Sequence, residues 1–302
     1  MTALTLPAPL HRRIDATAQA LLEAPGIPAI DFSQPPGEPA LIPADAISWR
    51  IFRNPASLFI GGVAAVILEL AEPRVRSGVW EHSSFRAEPV RRLQRTGLAA
   101  MVTVYGARSV AERMIAGVVR MHDKVTGDTP AGEAYRANDQ ELLDWVQATA
   151  NFGFTEAYSC YVRPLSAEER DRAFAEGTPA ARLYGALGAP ASDAEWQAML
   201  EAMRDKLEPS PIVFEFLGIM RDAPALPAPL RPVQRLLLRA AVEMTPDWVR
   251  DRLGLTARYG LRPWEKPIVR LIARTSDRIM LRASPAVQAC LRLGLTPDYL
   301  YR

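Results

Sequence analysis

The chain has 302 residues, of which 49% are hydrophobic and 23% charged, and its formal net charge is +2. This length and apolar content suffice for a large buried core. Acidic residues are interspersed among the arginines, so the sequence lacks the basic run typical of a nucleic-acid-binding surface, and no nucleic-acid partner is expected.

The apolar segments indicate a protein without a membrane span. The longest of them, residues 58–68, is too short to cross a bilayer and is followed at once by Glu69. The N-terminal residues show no basic region followed by an apolar run, so no secretory signal is expected. Cys160 and Cys290 lie far apart without metal or redox spacing, which favours reduced thiols in a cytoplasmic protein.

The periodicity of the chain predicts an all-α protein with one main domain. Residues 1–45 are proline-rich towards their end and resemble an arm on the surface. From residue 46 to 302 the apolar spacing is helical nearly throughout, without a convincing run of alternating strand residues. We therefore expect a single multi-helical domain of about ten or more helices, which fits the size of one large domain.

Helix boundaries can be placed from capping signals. A capping box, in which two side chains satisfy free amides reciprocally, is predicted at three pairs: Asn138 with Glu141, Ser166 with Glu169, and Ser192 with Glu195. Thr245 before Pro246 predicts a further helix start, and Gly254 predicts its end.

A helix predicted over residues 88–105 carries a polar stripe of small residues. Arg92, Thr96, Ala99, Ala100 and Thr103 share one face of it. Small side chains beside an arginine and two hydroxyls leave room for a flat, partly charged ligand. An ordinary solvent-facing stripe is the alternative.

The next helix carries His122, one of three histidines in the chain. The spacing places His122 mid-helix on an apolar face shared with Ala111, Ile115, Val118, Val119 and Val125. The opposite face holds Arg113, Arg120, Asp123 and Lys124. A buried imidazole needs a partner, which is either another protein group, as for an ordinary core histidine, or an iron atom.

An ordered series of motifs resembles a known family over residues 50–260. The series comprises Gly61-Gly62, LAEPRVRSGV (70–79), HSSF (82–85), Pro89, RLQRT (92–96), HDKVTG (122–127), YRAND (135–139), WVQAT (145–149) and, more weakly, EMTPDWVRDRLGL (243–255). Their order and spacing resemble the oxygenase family that includes the latex clearing protein, a rubber oxygenase, and the mycophenolic-acid pathway oxygenase.

The resemblance implies an all-α fold with a globin-like core that holds heme b. By this likeness His122 is the axial iron ligand, and Arg92 and Thr96 line the heme pocket. Arg95 stands where the rubber enzyme has a distal lysine. It can donate hydrogen bonds but is a poor iron ligand because it stays protonated.

The chain departs from the family pattern at two polar positions. Gln147 and Glu72 replace histidines that many members carry. Either residue can still form hydrogen bonds, and Glu72, with Arg95, is predicted to act in catalysis. No position matches the rubber enzyme's catalytic glutamate clearly; Glu69, Glu72 and Glu81 are the acids to consider.

The resulting hypothesis is a heme-b-dependent oxygenase that uses dioxygen on an apolar, isoprenoid- or lipid-like substrate reached through an apolar channel. The alternative is a non-catalytic helical protein that binds a hydrophobic ligand or none. His82 is predicted to lie in a loop and to have a structural role. The oligomeric state stays open.

Overall fold

The all-α prediction is confirmed. The structure, a computed structural model, describes residues 29–302, and helices dominate this part of the chain. The first seven helices are α1 (Ile47–Phe52), α2 (Pro55–Glu69), α3 (Pro73–His82), α4 (Pro89–Tyr105), α5 (Arg108–His122), α6 (Gln140–Tyr161) and α7 (Ala167–Tyr184). The later ones are α8 (Asp193–Ala202), α9 (Pro211–Asp222), α10 (Arg231–Met244), α11 (Asp247–Leu253), α12 (Glu265–Ser276) and α13 (Pro285–Arg292). The globin-like arrangement stays a prediction.

Strands that the sequence analysis did not predict follow α5. β1 (Thr126–Asp128) pairs antiparallel with β2 (Ala134–Arg136), and Gly127 lies opposite Tyr135. A Cβ on Gly127 would come within 2.7 Å of the Tyr135 hydroxyl, so glycine lets the buried ring pack across the hairpin. Strands of three residues are too short to show the alternation by which strands are recognised.

Two long helices, α2 and α6, form the centre of the main hydrophobic core. They cross at Gly61 and Gly153, where a Cβ on Gly61 would lie 2.6 Å from the Gly153 carbonyl oxygen. A Cβ on Gly153 would lie 2.4 Å from the Gly61 oxygen. Glycine at both positions therefore allows the two backbones to touch.

Gly153→Ala is expected to destabilise the protein by about 3 kcal/mol or more, because the added methyl group collides with backbone that cannot move aside cheaply. Chemical denaturation measures this loss. Gly218→Ala in α9 is the matched control, since a Cβ there meets nothing within 4 Å. It should change stability by at most about 1 kcal/mol, in the stabilising direction. Equal effects of the two substitutions would contradict the close crossing.

A second core cluster anchors the described part of the predicted arm. Phe32, Leu41 and Ile42 are buried in it. The buried guanidinium of Arg292 donates to the carbonyl oxygens of Phe32 and Tyr105 at 2.8 and 2.7 Å. Residues 29–45 are thereby packed against the helical domain. Residues 1–28 of the predicted arm lie outside the described residues.

Some of the predicted helix caps are confirmed by the structure and others are wrong. The capping box of Ser166 with Glu169 is confirmed, and Gly254 ends α11 with a φ of +71°. Ser192 caps α8, but Glu195 bonds the amide of Ala191 rather than that of Ser192. The box at Asn138 is wrong, because Asp139 precedes α6 and Asn138 bonds elsewhere. The start at Thr245 is also wrong: its hydroxyl donates back into α10, to Ala241.

Within residues 29–302, no single helix is long and apolar enough to cross a bilayer. The pair α2 and α3, bent by 113° at their junction, meets that test only when the two helices are taken together.

Candidate functional site

Four helices bring a polar cluster together inside the fold. Glu69 ends α2, Arg92 lies in the first half of α4, His122 ends α5, and Thr149 lies near the middle of α6. Arg92 is close enough to influence the pKa of both Glu69 and His122, and the Thr149 hydroxyl, which donates to the Val146 carbonyl oxygen at 2.9 Å, also acts on the pKa of Glu69. The cluster thus joins an acid, a cation and an imidazole from distant parts of the sequence.

Glu69 is the strongly perturbed acid of this cluster. Burial raises the pKa of its carboxyl to about 7, although the Arg92 charge and the Thr149 hydroxyl act to lower it. Its side chain nevertheless keeps some accessible surface. Glu69 was only one of three acids considered from the sequence.

Arg92 is influenced by the charge of Glu69 and also contacts a neighbouring residue of its own helix, α4. Its Nη1 donates to the Thr96 hydroxyl, which in turn donates to the Arg92 carbonyl oxygen at 2.9 Å. Burial and the nearby charge of Arg95 lower the pKa of Arg92, while Glu69 raises it. The predicted pair of Arg92 and Thr96 is therefore in contact, and Thr96 and Arg95 lie on exposed surface beside it.

His122 is the last residue of α5, so its predicted mid-helix position is wrong: the chain turns there, with the Val125 amide donating to the His122 carbonyl oxygen at 2.9 Å. The predicted faces are confirmed in the first part of α5, where Ala111 and Ile115 are buried and Arg113 is exposed; the later members of the apolar face are only partly buried. Burial and the Arg92 charge lower the pKa of His122, so the imidazole is neutral near pH 7.

Asn138 lies beside the imidazole. Its Nδ2 donates to the Val119 carbonyl oxygen at 3.1 Å and to Asp123 Oδ1 at 2.6 Å, which fixes the amide. Its Oδ1 and the Nδ1 of His122 are both buried without a hydrogen-bond partner among the described residues. The Asn138 side chain also acts to raise the pKa of His122. Asn138 therefore has an acceptor close to the ring that no sequence signal had assigned to the site.

The Glu72 carboxylate accepts hydrogen bonds from residues at the start of α3. Its buried carboxylate accepts from the Val75 amide at 2.7 Å, as the N-cap of α3, and from Arg74 Nε at 2.8 Å. Both oxygens thus have strong partners. The catalytic role expected for Glu72 stays a prediction.

The other two candidates from this region lie together at the end of α3. His82 is the last residue of that helix rather than part of a loop. Its Nε2 lies 3.2 Å from the Tyr135 hydroxyl, which also lies 3.5 Å from a Glu81 oxygen. The structural role predicted for His82 agrees with this contact.

Apolar side chains share the face of α2 that carries Glu69. Phe59, Gly62 and Val66 precede Glu69 by ten, seven and three residues, and all remain partly accessible. Across from them, the ring of Phe154 on α6 comes within 3.8 Å of a Cβ built on Gly62. Glu69 therefore stands at the end of a row of apolar and small residues.

A cavity of about 340 Å³ lies elsewhere, between the start of α6 and α8. It is lined by Gln140, Glu141, Asp144, Trp145, Met199, Ala202, Met203 and Lys206. None of the predicted site residues borders it. The apolar channel expected at His122 stays a prediction.

Fold and cluster together define an all-α domain with a desolvated polar centre. Residues 49–277 match the family described as "ER-bound oxygenase mpaB/B'/Rubber oxygenase, catalytic domain". The chain belongs to this oxygenase family, and the resemblance found in the sequence motifs is confirmed. The matched range ends at Asp277, whose carboxylate pairs with Arg53 at 2.6 Å.

No curated protein and no solved structure matched the chain. Among residues 29–302, no group of three or more histidines, cysteines or acids is placed to hold a metal ion.

Proposed function

We propose that this member of the oxygenase family uses heme b, held by His122, to oxidise an apolar isoprenoid- or lipid-like substrate with dioxygen. The observation that carries the proposal is the convergence of Glu69, Arg92 and His122 from three helices onto one desolvated cluster. Perturbed ionisable groups gathered in this way are typical of active sites.

The residues present fit a heme. His122 is neutral, as an axial ligand must be. If its Nδ1 carries the proton and donates to the free Asn138 oxygen, Nε2 keeps a lone pair for iron. Arg92 and Arg95 repel each other, and Glu69 compensates their charge only in part because its own pKa is raised to about 7. Anionic propionates would relieve that repulsion.

When bound, the heme supplies the activation of dioxygen. The protein residues have separate tasks. Arg92 and Thr96 would line the heme pocket, and the exposed Arg95 beside them would donate hydrogen bonds to the bound group or its ligand. Glu69 is ionised in part near neutral pH and can therefore accept a proton on a carboxylate oxygen, and the Arg92 charge favours its ionised form.

The surroundings of Glu69 favour an apolar substrate. The partly accessible row of Phe59, Gly62 and Val66 leads along α2 towards the carboxyl. Gly62 leaves free width in this row, and Phe154 forms its opposite side. A hydrocarbon chain would bury this surface without leaving polar groups unpaired.

The test is an absorption spectrum of the full chain expressed with a heme precursor, recorded before and after reduction with dithionite. A Soret band that survives gel filtration and shifts on reduction is the expected result. Oxygen consumption with unsaturated isoprenoids or lipids then tests the substrate class. No Soret band, even after addition of hemin, would overturn the proposal and favour a non-catalytic helical protein.

A further inference from the structure

The exposed side of α12 carries a line of large apolar residues. Trp264, directly before the helix, is 59% exposed, Ile268 is 40% exposed and Leu271 is 67% exposed. Their spacing of four and three residues places them on one face. The opposite face buries Glu265, Val269 and Ala273 in the domain. This apolar line is therefore separate from the face by which α12 packs on its neighbours.

Positive charge surrounds this line. Arg262, Arg270, Arg274 and Arg278 are exposed between residues 262 and 278. Both acids of this segment are buried and paired: Glu265 with Arg239 at 3.1 Å and Asp277 with Arg53 at 2.6 Å. The exposed charge of residues 262–278 is thus entirely positive.

The arginines are arranged beside the apolar line rather than across it. Arg270, Arg274 and Arg278 follow one another at four-residue intervals and form a parallel row. Arg270 and Arg274 are oriented by Nε donating to the carbonyl oxygens of Cys160 and Val162, each at 3.1 Å. The Arg262 guanidinium lies 5.9 Å from the Trp264 ring.

The apolar line and its flanking arginines favour some binding partners of this α12 face over others. A second copy docked by the same face would bring two rows of arginine together, which is unfavourable. A single line of three side chains is also narrow for a stable protein interface. An anionic bilayer suits it, because tryptophan favours the interface, Leu and Ile enter the acyl region, and arginines reach the headgroups.

We propose that the exposed face of α12, with Trp264, Ile268 and Leu271 and its flanking arginines, docks on an anionic membrane surface. This inference stands independently of the proposed heme chemistry. It would place the domain against a phase in which apolar molecules are dissolved.

The experiment is co-sedimentation of the full chain with phosphatidylcholine vesicles prepared with and without phosphatidylglycerol. Binding is expected with the anionic vesicles and should weaken as salt is added. Leu271→Ser should reduce the bound fraction about tenfold. Arg278→Glu should also reduce it, and the emission of Trp264 should shift to the blue on binding.

Leu187→Ser is the matched control, because Leu187 is equally exposed at 66% but lies outside α12. It should leave binding unchanged. Failure to bind anionic vesicles, or equal loss in the Leu271 and Leu187 variants, would overturn the proposal. So would protection of Trp264 from acrylamide in vesicle-free solution, which would show that protein already covers it. Heme content is measured separately and reports only on the proposed function.

Discussion

His122→Ala is expected to abolish retention of heme. In the proposed function the neutral imidazole supplies the nitrogen ligand of the iron, so its removal would take away the protein's bond to the metal. The ratio of Soret to protein absorbance after gel filtration measures the loss. The apoprotein should fold as before, because His122 is only partly buried and lies at the end of α5.

His82→Ala is the control for this prediction, since that ring contacts the Tyr135 hydroxyl and lies at the end of another helix. It should retain heme. Added imidazole should restore a Soret band to His122→Gly by filling the space of the missing ring. Full heme content in His122→Ala would disprove the assignment of the axial ligand.

Glu69→Gln is expected to lower turnover by about 100- to 10,000-fold while heme content stays unchanged, because an amide cannot accept a proton near neutral pH. Steady-state oxygen consumption measures the effect. Glu72→Gln is the matched comparison: it should cost about 1 kcal/mol of stability through the weakened cap and leave most of the activity. The reverse result would support the catalytic role predicted for Glu72 and contradict the one proposed for Glu69.

Glu69→Gln should also change the way in which the free energy of unfolding depends on pH. The folded-state pKa of Glu69, about 7, lies above its ordinary value of 4.5, so folding favours the protonated form. The associated stability is fully present below pH 4.5 and is lost as the pH rises through 7. Glu69→Gln, which is always neutral, should therefore match the parent protein in acid. At pH 8 it should be more stable, by up to about 3 kcal/mol.

Local signals in the sequence were sufficient to predict many of the helices. The apolar run before Glu69 became α2, and the first part of α5 buries Ala111 and Ile115 as its pattern predicted. Ser166 and Glu169 formed the expected capping box. These features depend on contacts within one helical turn, which spacing along the chain reports directly.

Features decided by distant contacts could not be predicted in this way. Asn138 had the sequence of a helix cap, but its amide bonds α5 instead. Glu69 and Glu72 are three residues apart and chemically equivalent, and only the fold turns one towards Arg92 and the other into a cap. In the motif at 145–149, Thr149 became part of the cluster because α6 packs against α2, the helix that carries Glu69.

The crossing of α2 and α6 at Gly61 and Gly153 also determines where Glu69, at the end of α2, is placed. Glu69 lies eight residues beyond Gly61, a lever arm of about 12 Å at 1.5 Å per residue. A tilt of about 5° at the crossing would displace its carboxyl by about 1 Å, enough to disturb a proton transfer. By fixing the angle between the two helices, the two glycines thereby help to determine the position of the Glu69 carboxyl.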